Sequence, residues 1–289
     1  MSRGNIAIWF DPATQWYAPS KGKQGRNQTY SDAAIQCCLM IKSLFRLSLR
    51  MVTGFVQSLI KLCGLNWTAP DYSTLCRRQK HIDIAISYQK SSDGLHLLVD
   101  STGMKFLGEG EWKRKKHGPE YRRQWRKLHI GIDAKTLQIR AVQLTTNNVS
   151  DSQVLGDLLN QIPQDEQIDS VYTDGAYDTK QCRQVIADRQ AHAVIPPRKN
   201  AKPWKDTKSS SLERNELLRT VKHLGRTLWK KWSGYHRRSL VETKMHCIKL
   251  LGDKLMARSF PSQVNEIHAR VAVLNRFTEL GRPLTQVTP

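Results

Sequence analysis

The sequence predicts an α/β chain built on one mixed sheet, with a helical region ahead of it and a helical tail behind. Three observations predict this. Residues 31–63 carry apolar positions at helical spacing, residues 95–195 switch to short apolar runs between polar turns with two helical segments among them, and residues 262–280 return to helical spacing. With 289 residues and 39% apolar content, the chain is long enough to bury such a core.

The first helix is read from Ala34, Ile35, Cys38, Ile41 and Phe45, and the second from Leu49, Val52, Phe55, Val56, Leu59 and Ile60, with Gly64 as its stop. Thr68-Ala69-Pro70-Asp71 places a proline and an acid at the start of a third helix, which runs basic through Arg77, Arg78 and Lys80. Three helices ending in a basic one fit a helix-turn-helix-like module, and they fit equally a helical subdomain that only packs on its neighbour. Residues 95–99 form a strand ending in Asp100, Ser101-Thr102-Gly103 a turn, and residues 104–107 a second short strand. Residues 128–132 and 137–144 flank Asp133-Ala134-Lys135-Thr136 as a hairpin. Ser150 or Asp151 caps a helix through Leu159, residues 170–173 form a strand ending at Asp174, residues 178–189 a helix, and residues 193–195 the last strand.

That order, β-β-β-α-β-α-β followed by a helix carrying Glu242, is the order of an RNase H-like fold. Lys and Arg crowd the stretch from Pro197 to Gly234 against only Asp206, Glu213 and Glu216, with no clean apolar period, so it is read as a basic insertion at about 198–234. The tail places Val264, Ile267, Val271, Leu274 and Phe277 on one helix face. The expected organisation is a helical N-terminal DNA-binding region at 1–90, an RNase H-like domain at 91–253 and a helical tail at 254–289.

Charge narrows the function. Lys and Arg number 46 against 25 Asp and Glu, a net +21, which is too basic for an ordinary enzyme of small metabolites and makes nucleic acid the expected partner. No apolar run approaches the roughly 18 residues of a membrane span, and no cleavable signal stands at the start, so a cytoplasmic, nucleoid-associated protein without a membrane partner is expected. Six cysteines show no C-x-x-C pair and no zinc-like spacing, and are read as reduced core residues.

The chemistry lies in three acids. Asp100 and Asp174 each follow an apolar strand, where a side chain leaves the sheet's end instead of entering its core. Either alone is a turn-initiating aspartate, but joined by Glu242 on the following helix they make a set of hard oxygen ligands. Such a set holds Mg²⁺, with Mn²⁺ as a substitute, and two ions about 3.5–4 Å apart both activate a nucleophile and stabilise a leaving oxygen in phosphodiester cleavage. Tyr235, Arg238, Glu242 and Lys249 are separated by two, three and six residues. On one α-helix at about 100° per residue they would share a stripe of roughly 60°. Arg238 can fork onto a phosphate, Lys249 can act only as a point charge, and pairing with Glu242 would explain Arg238 without DNA. Tyr235 either contacts DNA or packs at the helix start.

Residues 112–127 hold eight Lys or Arg against one acid, with Trp112, Tyr121 and Trp125 interleaved, so Arg126 and Lys127 join Arg77 and Arg78 as expected DNA contacts. One of these tryptophans is expected to anchor the hairpin core, and the same reading covers Trp204, Trp229 and Trp232. Asp133 is explained by its turn and Asp178 by a helix N-cap. His129 and His246 have the chemistry of bases, though metal-activated water removes the need for one; His246 would orient Glu242 or face the interior.

Leu98-Val99-Asp100-Ser101-Thr102-Gly103, Gly108-Glu109-Gly110-Glu111-Trp112-Lys113, Trp125-Arg126-Lys127-Leu128-His129, Asp174-Gly175-Ala176-Tyr177-Asp178 and Gly234-Tyr235-His236-Arg237-Arg238-Ser239 resemble, in order, the blocks of DDE transposases of the insertion sequence five family. The Tyr235, Arg238, Glu242 and Lys249 spacing resembles the Y-R-E-K signature of bacterial insertion-sequence transposases. The resemblance implies that Asp100, Asp174 and Glu242 are the metal-binding catalytic triad and that Tyr235, Arg238 and Lys249 meet DNA near the scissile phosphate. It implies binding of terminal inverted repeats, cleavage at the element's ends, transfer of the 3′-OH strands to target DNA, and a homo-oligomer that holds two ends. Relatives carry some twenty residues ahead of the segment matching residues 2–10, so an internal start, and with it a non-catalytic end-binding repressor, is the alternative expectation. A structure-selective nuclease on the same fold is a third.

Overall fold

The structure is a computed structural model that describes residues 13–20, 22, 27–91, 93–108, 110–118, 124–205 and 208–281. Tyr121 and residues 2–10 lie outside the described residues. In chain order the elements are helices α1 (Asp32–Leu44), α2 (Leu49–Leu62) and α3 (Tyr72–Gln79); strand β1 (Leu95–Phe106); helix α4 (Glu111–His117); strands β2 (Arg126–Asp133) and β3 (Ile139–Thr146); α5 (Asp151–Asn160); β4 (Ile168–Tyr172); α6 (Lys180–Asp188); β5 (His192–Val194); α7 (Ser209–Leu224), α8 (Arg226–Trp232) and α9 (Ser239–Leu250); β6 (Lys254–Leu255); and α10 (Phe260–Glu279). They form two compact units, one from Met1–Ser87, Lys105–Glu111 and Ile248–Pro289, the other from Tyr88–Met104 and Trp112–Cys247.

The second unit is built on a mixed sheet in the order β3-β2-β1-β4-β5. β1, β2 and β3 run antiparallel, whereas β4 and β5 continue parallel to β1, the arrangement of an RNase H-like sheet. Leu95, Leu97 and Val99 of β1 pack with Val171 against Val154, Leu155 and Leu158 of α5 and Ile186 of α6. The alternation of a strand therefore turns Asp100 to the opposite face. Ser101-Thr102-Gly103 is not a turn: β1 runs through it, paired Ser101↔His129, Thr102↔Leu128 and Gly103↔Lys127. β2 supplies ladder partners along the whole stretch, and those cross-strand bonds outweigh the local preference of Ser, Thr and Gly for a turn. Asp100 thus sits within a strand, not at its end.

Other local expectations shift for similar reasons. The hairpin turn is held by Asp133, which accepts from Lys135 N and Thr136 Oγ1, both at 2.8 Å. Thr179, not Asp178, caps α6, accepting from Cys182 N at 3.2 Å, because Asp178 is buried between two guanidinium groups. The basic stretch contains α7 and α8. Their period was illegible because α7 buries Ser210, Ser211 and Arg214 rather than aliphatic side chains. Tyr235–Arg238 forms a 3₁₀ turn after the left-handed Gly234, and α9 starts only at Ser239, so the four residues of the Tyr-Arg-Glu-Lys spacing do not ride one α-helix.

In the first unit, Ile35, Cys38 and Ile41 of α1 meet Val52, Val56 and Ile60 of α2, Leu75 of α3, and Ala269 and Ala272 of α10 in one core. Ser31, Ser48 and Asp71 cap the first three helices through side-chain oxygens. Phe45 falls just past the end of α1 and is exposed instead of joining its buried face. The Lys105–Phe106 end of β1 pairs in parallel with β6. All six cysteines are free thiols; Cys38 and Cys182 are core residues as expected, but Cys63 and Cys76 are exposed. Among the described residues no helix is long and apolar enough to cross a membrane.

Candidate active site

Three separated segments of the second unit supply the acids. Leu98 of β1 is level with Tyr172 of β4, so Asp100, still within β1, and Asp174, just past the end of β4, each stand two residues beyond that pair on neighbouring strands. Asp174 starts a 3₁₀ turn over Gly175–Tyr177 and accepts from Ala176 N at 2.9 Å. Glu242 stands in the first turn of α9. Arg238 joins two of the three: its Nη2 donates to Asp100 Oδ2 at 2.9 Å and its Nη1 to Glu242 Oε1 at 2.7 Å.

Asp100 is 8% exposed. Burial pushes its carboxyl up to about 6, against the pull of Arg238 and of the Ser101 N–H, and the charges of Asp174 and Glu242 raise it further. Among the described residues no three His, Cys, Asp or Glu side chains gather tightly enough to close around a metal ion. The donor chemistry nevertheless fits one. Three carboxylate side chains, two of which raise the proton affinity of Asp100, suit a hard divalent cation, and the Arg238 guanidinium supplies the compensating positive charge between Asp100 and Glu242.

A basic rim surrounds the acids. Tyr235 is half-buried, its ring 5.7 Å from that of Trp229 with Lys230 Nζ 5.3 Å from its centroid. It lines two adjoining cavities. One, of about 530 Å³, is shared with Lys230, Lys231, Arg238 and Glu242; the other, of about 500 Å³, with Arg198, Lys199 and Arg226. Arg198 holds the turn after Asp174 by donating to Gly175 O and Ala176 O at 3.1 and 3.0 Å. Arg198, Arg226, Lys230 and Lys231 were not singled out from the sequence; their only signal was the density of basic residues between 198 and 231.

The remaining expected contacts divide. Lys249 lies in the last turn of α9, seven residues beyond Glu242. Arg77 is exposed, whereas Arg78 donates to Tyr30 O at 3.0 Å and pairs with Asp32. Arg126 is half-buried, and Lys127 Nζ is bound to Val149 O at 3.0 Å and Asp151 Oδ1 at 2.9 Å. Trp112 and Trp125 are both exposed, so neither anchors the hairpin core; Trp229 is buried, while Trp232 is 80% exposed. His129 is fully buried, and burial lowers its pKa to about 4, which keeps it neutral; His246 is exposed and does not face the interior.

Two family models match the chain. Residues 91–276 match one and residues 1–109 the other, each described as a transposase DDE domain. Among solved structures, a cryo-EM structure of the simian T-cell lymphotropic virus intasome in complex with a PP2A regulatory subunit, B56 gamma, is 15% identical over 75% of this chain and 74% of that chain, with a TM-score of 0.26. The strand order above, not this likeness, carries the fold assignment.

Proposed function

Because the chain belongs to the DDE transposases, we propose that it is the transposase of an insertion sequence of the Y-R-E-K, insertion sequence five type, cutting DNA at its element's terminal inverted repeats and joining the 3′-OH ends to target DNA. One observation carries the reading: three carboxylates from separate segments share one electrostatic neighbourhood, two of them bridged by Arg238, with cations along the rim. Asp100, Asp174 and Glu242 would hold Mg²⁺, or Mn²⁺ in its place. When bound, such ions activate the attacking water or hydroxyl and stabilise the leaving oxygen. Arg238, released from Asp100 and Glu242, is then free to fork onto a phosphate beside the scissile bond. Tyr235, Lys230 and Lys231 orient the backbone around it, and Lys249, Arg77 and Arg126 contribute further phosphate contacts. The helical residues of 1–90 bind the end sequence, 91–253 cut it, and a homo-oligomer holds two ends at once.

The test is labelled duplex carrying a terminal repeat, incubated with Mg²⁺ and either the native chain or Glu242→Gln. Cleavage leaving 3′-OH ends, followed by joined products, from the native chain alone is the expected result. Binding without cleavage in either would mark a non-catalytic end-binding repressor, and cleavage without end preference or joining a structure-selective nuclease. Affinity for this duplex should also fall steeply with salt. A rim making about six phosphate contacts loses on the order of 10³-fold between 50 and 200 mM salt; a flat response in a filter-binding titration would remove the phosphate contacts from the account.

A further inference from the structure

Three of the sequence blocks supply residues that the proposed cleavage does not use: Ser101 beside Asp100, Lys127 and His129 on β2, and Tyr177 after Asp174. They converge on Asp151, in the first turn of α5. Asp151 Oδ1 accepts from Ser101 Oγ at 2.8 Å and from Lys127 Nζ at 2.9 Å, and His129 Nδ1 stands 3.7 Å away. Ser101 in turn donates its backbone N–H to Asp100 Oδ1 at 2.9 Å, leaving Oδ2 to Arg238. The hydroxyl and the backbone amide of Ser101 thus form a short chain from Asp151 to Asp100, and the Lys127 ammonium holds Asp151 at its far end.

The surroundings favour a charged Asp151. Burial acts to raise its pKa, yet the bonds from Lys127 and Ser101 together hold it below the usual carboxylate range, and the start of α5 adds its favourable dipole. The Tyr177 hydroxyl is buried without a hydrogen-bond partner and lies within electrostatic reach of Asp151, Asp100 and Asp174. Lys127 spends two of its three donors on Val149 O and Asp151.

We infer that Asp151, anchored by Lys127, is a positioning residue that orients Asp100 through Ser101, and that Lys127 belongs to this lock and not to the phosphate contacts. The inference rests on the proposed role of Asp100. Groups that fix a ligating carboxylate from behind typically change affinity or rate by about 10–100-fold when removed.

The full-length chain serves for the test, with Lys127→Met, Ser101→Ala, Asp151→Asn and Asp100→Asn compared on one duplex carrying the terminal repeat. Lys127→Met should leave the slope of log Kd against log salt unchanged, whereas a lost phosphate contact would reduce it by about 0.9. Asp151→Asn should lower kcat about 10–100-fold, raise the Mg²⁺ concentration for half-maximal cleavage, and leave the DNA Kd within about twofold. Ser101→Ala should move the same quantities in the same direction. A reduced slope for Lys127→Met, or a folded Asp151→Asn with native kcat, overturns the inference. Should Asp151→Asn fail to fold, the Lys127→Met slope and the Ser101→Ala rate decide. Native cleavage by Asp100→Asn would defeat the proposed active site itself and the inference with it. An inactive Asp100→Asn beside a fully active Asp151→Asn would defeat the inference alone.

Discussion

Asp100→Asn is expected to abolish cleavage while making the protein more stable above pH 6. The first effect follows from the proposed metal-holding role of this carboxyl, the second from a pKa that burial raises to about 6. Folding holds that proton more tightly than the unfolded chain does. The associated stability is therefore fully present below about pH 4, near the ordinary carboxylate value, and is lost as pH rises through 6. At pH 7–8 the native state carries a desolvated carboxylate that Arg238 compensates only in part. An amide removes that cost, for a gain of about 1–2 kcal/mol after allowing for solvent screening at the edge of the site. Thermal melts of native and Asp100→Asn protein at pH 5 and pH 8 check the sign: the variant's advantage should be larger at pH 8. Equal advantages at both values, or a less stable variant at pH 8, would remove the electrostatic strain from the account. A group that costs stability where it is charged is what a metal-binding carboxylate should look like without its cation.

Asp178→Ala is expected to be the most destabilising single change in the second unit. Asp178 Oδ1 accepts from Arg183 Nε and Oδ2 from Arg214 Nη2, both at 3.0 Å, and all three side chains are 3% exposed or less. Arg183 also donates to Ile195 O and Arg214 to Lys202 O, and Arg214 stacks 4.4 Å from the centroid of Trp204. Removing the one carboxylate leaves two guanidinium groups buried without compensation, which typically costs about 3–5 kcal/mol. For a chain of this size that corresponds to a fall in Tm of roughly 10 °C. A shift under about 2 °C in circular-dichroism melts would show that water reaches the site and that the pair is not buried in solution.

Asp178 also shows where sequence reading stopped. As a residue just ahead of a helical segment, it has every mark of an N-cap, and Thr179 beside it has the same chemistry. Which of the two caps α6 is decided by Arg214, which arrives from α7, 36 residues away. Lys127 and Arg78 show the same limit: each is a cation in a basic run, and only the fold shows the carboxylates of Asp151 and Asp32 that pair with them. Arg238 is the converse, since its i,i+4 pairing with Glu242 was legible locally while its bond to Asp100 spans 138 residues.

The sequence by itself determined the central strands and helices of the sheet domain, the apolar faces of α1 and α2, and the three acids brought into one neighbourhood. Periodicity is a property of neighbouring residues, and apolar burial rewards it wherever the chain goes. Only the tertiary structure decided that β1 runs unbroken past Asp100, that α7 exists on a face of serines and arginine, and which cations are spent inside the protein. Those outcomes depend on ladder partners and buried counter-charges contributed by distant segments. Hydrogen bonds and ion pairs are specific to the atoms that meet, unlike apolar burial, so a partner that the local sequence does not contain cannot be read from it.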